Sequence, residues 1–151
     1  EDVLIGRVRE LAPPEEIERR YGAITEFEAE LAASGTTIIK VMLHISKAEQ
    51  KARLAERLED PTKHWKYNAG DLKERAFWDD YMHAFEEVIR ATAAELAPWY
   101  VVPADHKWFT RLIVAGAIGE ALDNLGLGYP QIDAMKKQEL ITARKALAHE
   151  T

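Results

Sequence analysis

Apolar residues recur along this chain with two different periods, and the places where the period changes divide it into elements. After Pro13-Pro14 and Glu15-Glu16, residues Ile17, Tyr21, Ile24, Phe27 and Leu31 fall at helical spacing. Proline fits the first helical turn, where its missing N–H has no partner to lose, and acids suit the positive end of the dipole. Gly35 predicts the stop. Residues 36–44, TTIIKVMLH, are β-branched and almost continuously apolar, the pattern of a strand buried on both faces in a parallel sheet. Ser46 with Glu49 three residues on predicts a capped helix reaching about Leu58.

Asp71 with Glu74 repeats that capping pattern and predicts a helix to about Leu96, with Phe77, Tyr81, Phe85, Val88 or Ile89, and Leu96 on one side. Residues 99–103, WYVVP, read as a short second strand, and Asp105 is placed to cap the helix that follows. That helix aligns Trp108, Leu112, Ala115, Ile118, Leu122 and Leu125 and stops at the Gly126–Pro130 turn. A more polar last helix, about 132–149, carries Lys136, Lys137, Arg144 and Lys145. Strand, helical crossover, strand, helix is α/β logic with a right-handed crossover. Two strands cannot bury one of them on both faces, so further strands are expected upstream, and the sequence reads as the C-terminal half of a larger α/β domain.

Composition narrows the class without changing that picture. The 151 residues suit one domain, and 47% hydrophobic with 30% charged residues is ordinary globular content. No apolar run reaches the ~18 residues that cross a bilayer, and no signal segment opens the chain, so a cytoplasmic protein without a membrane partner is expected. With no cysteine, disulfides, thiolate metal sites and a thiol nucleophile are all excluded. The net charge of −6 means that a polyanionic partner must be met by a local basic patch. Residues 47–75 offer one, with eight Lys/Arg against six Asp/Glu.

Within that patch, residues 59–70 hold Pro61, Gly70 and the Lys63-His64-Trp65-Lys66 cluster between two helices. An irregular connection of this length is commonly a lid or binding loop, and we read it as a mobile basic lid. Arg53 and Arg57 lie four apart on one helical face, where like charges repel by about 0.2–0.5 kcal/mol. A phosphate would relieve the repulsion, as would pairing of Arg53 with Glu49 and Arg57 with Asp60; spacing alone favours the pairing. Trp65 is either a stacking surface beside Lys63 and Lys66 or a plug pinning the loop. Trp78, Tyr81 and Phe85 are expected in the core. No G-x-x-x-x-G-K-[ST] loop, G-x-S-x-G elbow or H-E-x-x-H motif occurs, and the histidines at 44, 64, 83, 106 and 149 are scattered.

The segments LHISKAEQKARLAERLEDPTKHWKYNAGDLKERAFWDDY and APWYVVPADHKWFTR resemble the polyphosphate kinase 2 family over residues 1 to about 130. The resemblance implies a P-loop kinase fold of the thymidylate-kinase-like type, three-layered with a helical lid at about 47–78, and residues 131–151 as a C-terminal helix. It implies transfer of phosphoryl groups between inorganic polyphosphate and nucleotides, AMP and ADP to ADP and ATP, with magnesium. It makes Arg53 and Arg57 the candidate catalytic residues, and Lys63, Lys66, Glu1, Asp2 and Arg7 the candidates for substrate binding. Glu1 and Asp2 match positions beside the family's Walker B strand, and the opening EDVL resembles the subgroup acting on both mono- and diphosphates. Nucleic acid is not an expected partner; a homo-oligomer, dimer or tetramer, is. The family's phosphate loop would lie before residue 1, so the magnesium ligands are expected mostly outside this sequence and the 151 residues alone are expected to be inactive. The alternatives are another thymidylate-kinase-like kinase using ATP, and a non-catalytic polyphosphate-binding or assembly segment.

Overall fold

A computed structural model describes residues 2–149. The chain order is α1 (Ile5–Val8), α2 (Pro14–Ala33), β1 (Lys40–His44), α3 (Lys47–Glu59), a 3-10 segment (Pro61–Lys66), α4 (Ala69–Arg75), α5 (Trp78–Thr92), β2 (Trp99–Pro103), α6 (Lys107–Asn124) and α7 (Ala134–Ala148). The chain forms two compact units, Glu1–Ala121 and Leu122–Thr151.

In the first unit β1 and β2 pair in parallel, in register from Lys40 opposite Trp99 to His44 opposite Pro103. This is the α/β arrangement expected from the chain order, and α3 to α5 form the crossover. β1 is shorter than predicted, because residues 36–39 lie before the point where β2 begins to supply partners; the first rung is Lys40 N–H donating to the Pro98 carbonyl at 3.1 Å. Full burial on both faces is not realised either. Met42 is buried beside Val101, which is 53% exposed, and Val102 is buried beside Leu43, which is 55% exposed. With two strands among the described residues, every position on either face lies next to an open edge.

The core gathers where α1, α2 and α5 meet. Val3, Ile17, Tyr21 and Val88 are buried together, with Leu4, Ala12, Ile24 and Trp99 packed against them. Burying each large side chain stabilises by roughly 1.5–3 kcal/mol. Charged groups tie the same corner: Arg7 bridges Glu18 at 2.9 Å and Glu87, and the Arg20 guanidinium donates to the Asp2 carbonyl at 3.0 Å. Lys40 reaches from β1 to Glu28 and to the Thr92 carbonyl, both at 2.6 Å. Gly35, at φ +91°, takes the left-handed conformation that ends α2 as predicted.

Two further expectations change. The helix predicted from Asp71 to about Leu96 breaks at Ala76–Phe77, where the Ala76 and Phe77 N–H groups donate three residues back and tighten the turn into 3-10 geometry. α4 is capped by Asn68, whose side chain accepts from Gly70 N–H at 2.8 Å, so Asp71 sits inside the first turn. α6 turns Trp108, Leu112 and Ile118 outward and buries Ala117. In the second unit Gly126, at φ +59°, closes the end of α6, and Asp133 caps α7 by accepting from Lys136 N–H at 2.7 Å.

Candidate functional site

Both strands end at the same level, and the chain beyond them builds the site. Ala104 N–H continues the ladder to the His44 carbonyl at 2.9 Å. Ser46 then caps α3 as predicted, its hydroxyl accepting from Glu49 N–H at 3.0 Å. Asp105 does not cap α6: its carboxylate accepts from Ser46 N–H at 2.7 Å, across 59 positions of sequence. That backbone hydrogen bond, reinforced by the Ser46 side chain, holds the Asp105 carboxyl below its ordinary range.

Arg53 points back along α3 to the strand ends. Its Nε donates to Glu49 at 2.9 Å, as the spacing suggested, while its Nη2 donates to the Ala104 and Asp105 carbonyls at 2.8 and 3.1 Å. One turn on, Arg57 faces Asp71 on α4 at 3.3 Å rather than Asp60. Asp60 instead accepts from the Thr62 hydroxyl and N–H at 2.7 and 2.9 Å and pairs with Lys63 at 3.1 Å. These contacts, Thr62 first, pull the Asp60 carboxyl down to about 2. Lys63 also pairs with Glu56, and the two carboxylates raise its ammonium.

The stretch expected to be irregular is therefore mostly a short helical segment started by an Asx turn at Asp60, a local device that proline at the first position favours. Trp65 is 79% exposed, so it is not a plug; Lys66 lies 5.1 Å from the centre of its ring.

A cavity of about 500 Å³ opens between α3, α4, α5 and β1, within the ~300–1,000 Å³ of small-molecule sites. Arg53, Arg57 and Arg75 with Asp71 and Glu74 form its polar wall, and Met42, Leu54, Trp78, Tyr81, Met82 and Phe85 its apolar floor. The aromatic residues expected in the core thus line a cleft, their rings half-buried. The Tyr81 hydroxyl donates to Glu74 at 2.7 Å, and burial first, then this bond, pushes it up to about 12.

Of the residues singled out from sequence, Arg53 and Arg57 share this cavity. Lys63 and Lys66 belong to the adjoining 3-10 segment, whereas Arg7 and the Asp2 backbone belong to the α1–α2–α5 corner. Glu1 lies outside the described residues. Sequence reasoning missed Arg75, which donates to Gln50 and lies 6.0 Å from the centre of the Trp78 ring. Its position four residues after Asp71 was the available signal.

Among the described residues no three His, Asp or Glu side chains are grouped to hold a metal ion. The acids of the cleft face arginines or a tyrosine hydroxyl. Asp71 and Glu74 are thus engaged by Arg57 and the Tyr81 hydroxyl rather than left open to a magnesium ion. No helix among them is long and apolar enough to cross a membrane.

Parallel strands whose carboxyl ends adjoin a cleft lined by three arginines define an α/β protein with its candidate site where such sheets present ligands. The chain belongs to the polyphosphate kinase 2 family: the family pattern described as Polyphosphate kinase 2 (PPK2) matches residues 1–126. It is 47% identical over 141 residues to the AMP/ADP-polyphosphate phosphotransferase of Meiothermus ruber, a match covering 93% of this chain and 53% of that protein. It is 44% identical to a Leptolyngbya boryana protein named "Uncharacterized protein in chlN 3'region", over 88% of this chain and 98% of that one. The crystal structure of polyphosphate kinase 2 from Arthrobacter aurescens TC1 superposes with a TM-score of 0.87 at 51% identity, covering 94% of this chain and 51% of the other. The chain thus spans about half the length of the Meiothermus and Arthrobacter proteins.

Proposed function

We propose that the protein carrying this chain transfers phosphoryl groups between inorganic polyphosphate and nucleoside mono- or diphosphates, and that residues 47–78 are the lid over the reacting phosphates. The observation that carries this reading is the cleft wall beside the carboxyl end of β1, which three arginines line together and where Arg57 faces Asp71. Phosphoryl transfer depends mainly on positioning and on neutralising charge spread over the phosphate oxygens. Arg57 suits that role best. Its link to Asp71 is long at 3.3 Å and both side chains are over a third exposed, so a phosphate can replace the carboxylate at little cost.

Arg53 lines the same wall, with its Nη2 engaged at the strand ends and its Nε engaged by Glu49 on α3. Lys63 and Lys66 on the 3-10 segment supply further cations for a long polyanion, and the apolar floor suits the nucleoside. Glu1, Asp2 and Arg7 are assigned to the substrate side on the family resemblance alone. Magnesium is assigned to residues other than those described, and the intact protein is taken to be a cytoplasmic homo-oligomer.

The test uses the intact protein with AMP, polyphosphate and magnesium, following ADP and ATP. We expect Arg57→Ala to lower turnover by about 100-fold, the usual scale for losing one charge-stabilising donor. Undiminished turnover in Arg57→Ala would remove that residue from the site. Turnover that persists with ATP in place of polyphosphate would reassign the donor.

A further inference from the structure

The contacts of Asp105, Ser46, Glu49 and Arg53 close into a ring. The Ser46 hydroxyl accepts from Glu49 N–H, the Glu49 carboxylate accepts from Arg53, Arg53 donates to the Ala104 and Asp105 carbonyls, and the Asp105 carboxylate accepts from Ser46 N–H. The ring joins the residues just past β1 to those just past β2. It also holds the first turns of α3, the helix that leads into the basic segment.

We propose that Asp105 is a positioning residue: it fixes the angle at which α3 leaves the sheet, and so where Arg57 and the 3-10 segment sit over the strand ends. Asp105 itself does not line the cavity, whereas Arg53 and Arg57 do. Its carboxylate receives a backbone N–H that a helix N-terminus otherwise leaves without a partner. A charge-assisted bond of this kind is about twice as strong as a neutral one. Because α3 is anchored at its first two turns and its later cations pair mainly within the segment, a small change of angle at Ser46 is carried to Arg57 and beyond. Removing the Asp105 side chain would leave α3 folded, with its Ser46 cap and the Arg53 bonds to main-chain carbonyls in place, but without the tie at Ser46 that fixes its angle.

This inference rests on the phosphotransfer reading for its kinetic consequence, though not for its structural one, and the experiment separates the two. Asp105→Ala and Asp105→Asn are made in the intact protein. The asparagine side chain keeps an oxygen that can accept from Ser46 N–H, whereas alanine does not.

Amide hydrogen exchange over residues 46–57 is compared first, since it requires no turnover. We expect about tenfold faster exchange in Asp105→Ala and within about threefold of wild type in Asp105→Asn. In polyphosphate-dependent turnover, kcat should fall about tenfold in Asp105→Ala, with KM for the nucleotide moving less than about threefold. Asp105→Asn should keep at least about half of kcat. Wild-type exchange in Asp105→Ala overturns the proposal, as does an asparagine variant as impaired as the alanine one in both readouts, because geometry would then not be what the carboxylate supplies. If wild type itself shows no polyphosphate-dependent turnover, the functional reading fails while the exchange comparison still decides the ring.

Discussion

The corner of α1, α2 and α5 and the segment from α3 to α4 use the same chemical device, a cation set between two carboxylates, with different reach. In the corner, Arg7 lies between Glu18 and Glu87, residues 11 and 80 positions away, so one side chain ties three helices. In the basic segment, Lys63 lies between Asp60 and Glu56, only 3 and 7 positions away. The corner's pair is backed by a buried cluster, and the segment's pair by a solvent-facing helix that buries no residue. Pairs that span elements act as struts. Pairs confined to one segment tie it to nothing else and keep its charges mutually screened. The ring at Asp105 and Arg53 is the exception, a long-range tie at the root of the segment.

The contrast can be broken most severely in the corner. Ile17 is 1% exposed, so Ile17→Ala should cost about 3 kcal/mol through lost transfer energy and a cavity, read as a lower urea midpoint. A loss below about 1 kcal/mol would mean that the corner collapses around the gap and is not rigid.

Arg7→Ala should come next, at about 2 kcal/mol, because it leaves a shielded oxygen of Glu87 without its cation. Adding Glu87→Gln should recover part of that loss. Recovery is the outcome that separates a strut from a substrate contact, since a substrate-binding Arg7 would lose affinity without losing stability.

The counterpart in the segment is Lys63→Ala. It should leave the urea midpoint essentially unchanged, while raising the KM for polyphosphate several-fold in the intact protein. A stability loss as large as that of Arg7→Ala would erase the distinction between the two regions.

The smallest effect concerns pH. Asp60 is depressed from its ordinary 3.8 to about 2, so its stabilisation is fully present above 3.8 and is lost as pH falls towards 2. Lys63 is raised from 10.5, so its share is fully present below that value and lost as pH rises through its folded one. Limited proteolysis of the 3-10 segment should therefore be flat between about pH 5 and 9 and increase in strong acid. Increased cleavage near pH 6 would require a group other than this pair.

Much of the local structure was legible because its causes are local. The Ser46 cap, the left-handed end of α2 at Gly35 and the pairing of Glu49 with Arg53 each depend on residues within one turn of one another. The misreadings share the opposite property. Chain order makes Asp105 a cap because its own helix follows it directly, yet the N–H that claims it lies 59 positions back. Spacing pairs Asp60 with Arg57, but the closer hydroxyl and N–H of Thr62 and the Lys63 ammonium take its oxygens. The long helix from Asp71 shows a continuous apolar period, and only the tightened backbone at Ala76 and Phe77 divides it.

By itself the sequence determined the α/β chain order, the parallel pairing implied by the helical crossover, the concentration of cations in residues 47–75 and, through its quoted segments, membership of the polyphosphate kinase 2 family. The basic stretch was visible as a lid candidate because charge, proline and glycine are properties of a linear chain. Only the tertiary structure decided which cations face the cleft and which are struts, since an arginine between glutamates has the same local pattern in both settings. It brought Arg75 beside Arg53 and Arg57, placed Arg7 in the packed corner and turned Trp65 to solvent. It also joined Asp105 to Ser46, because parallel strands bring their carboxyl ends to one edge however far apart they lie in sequence.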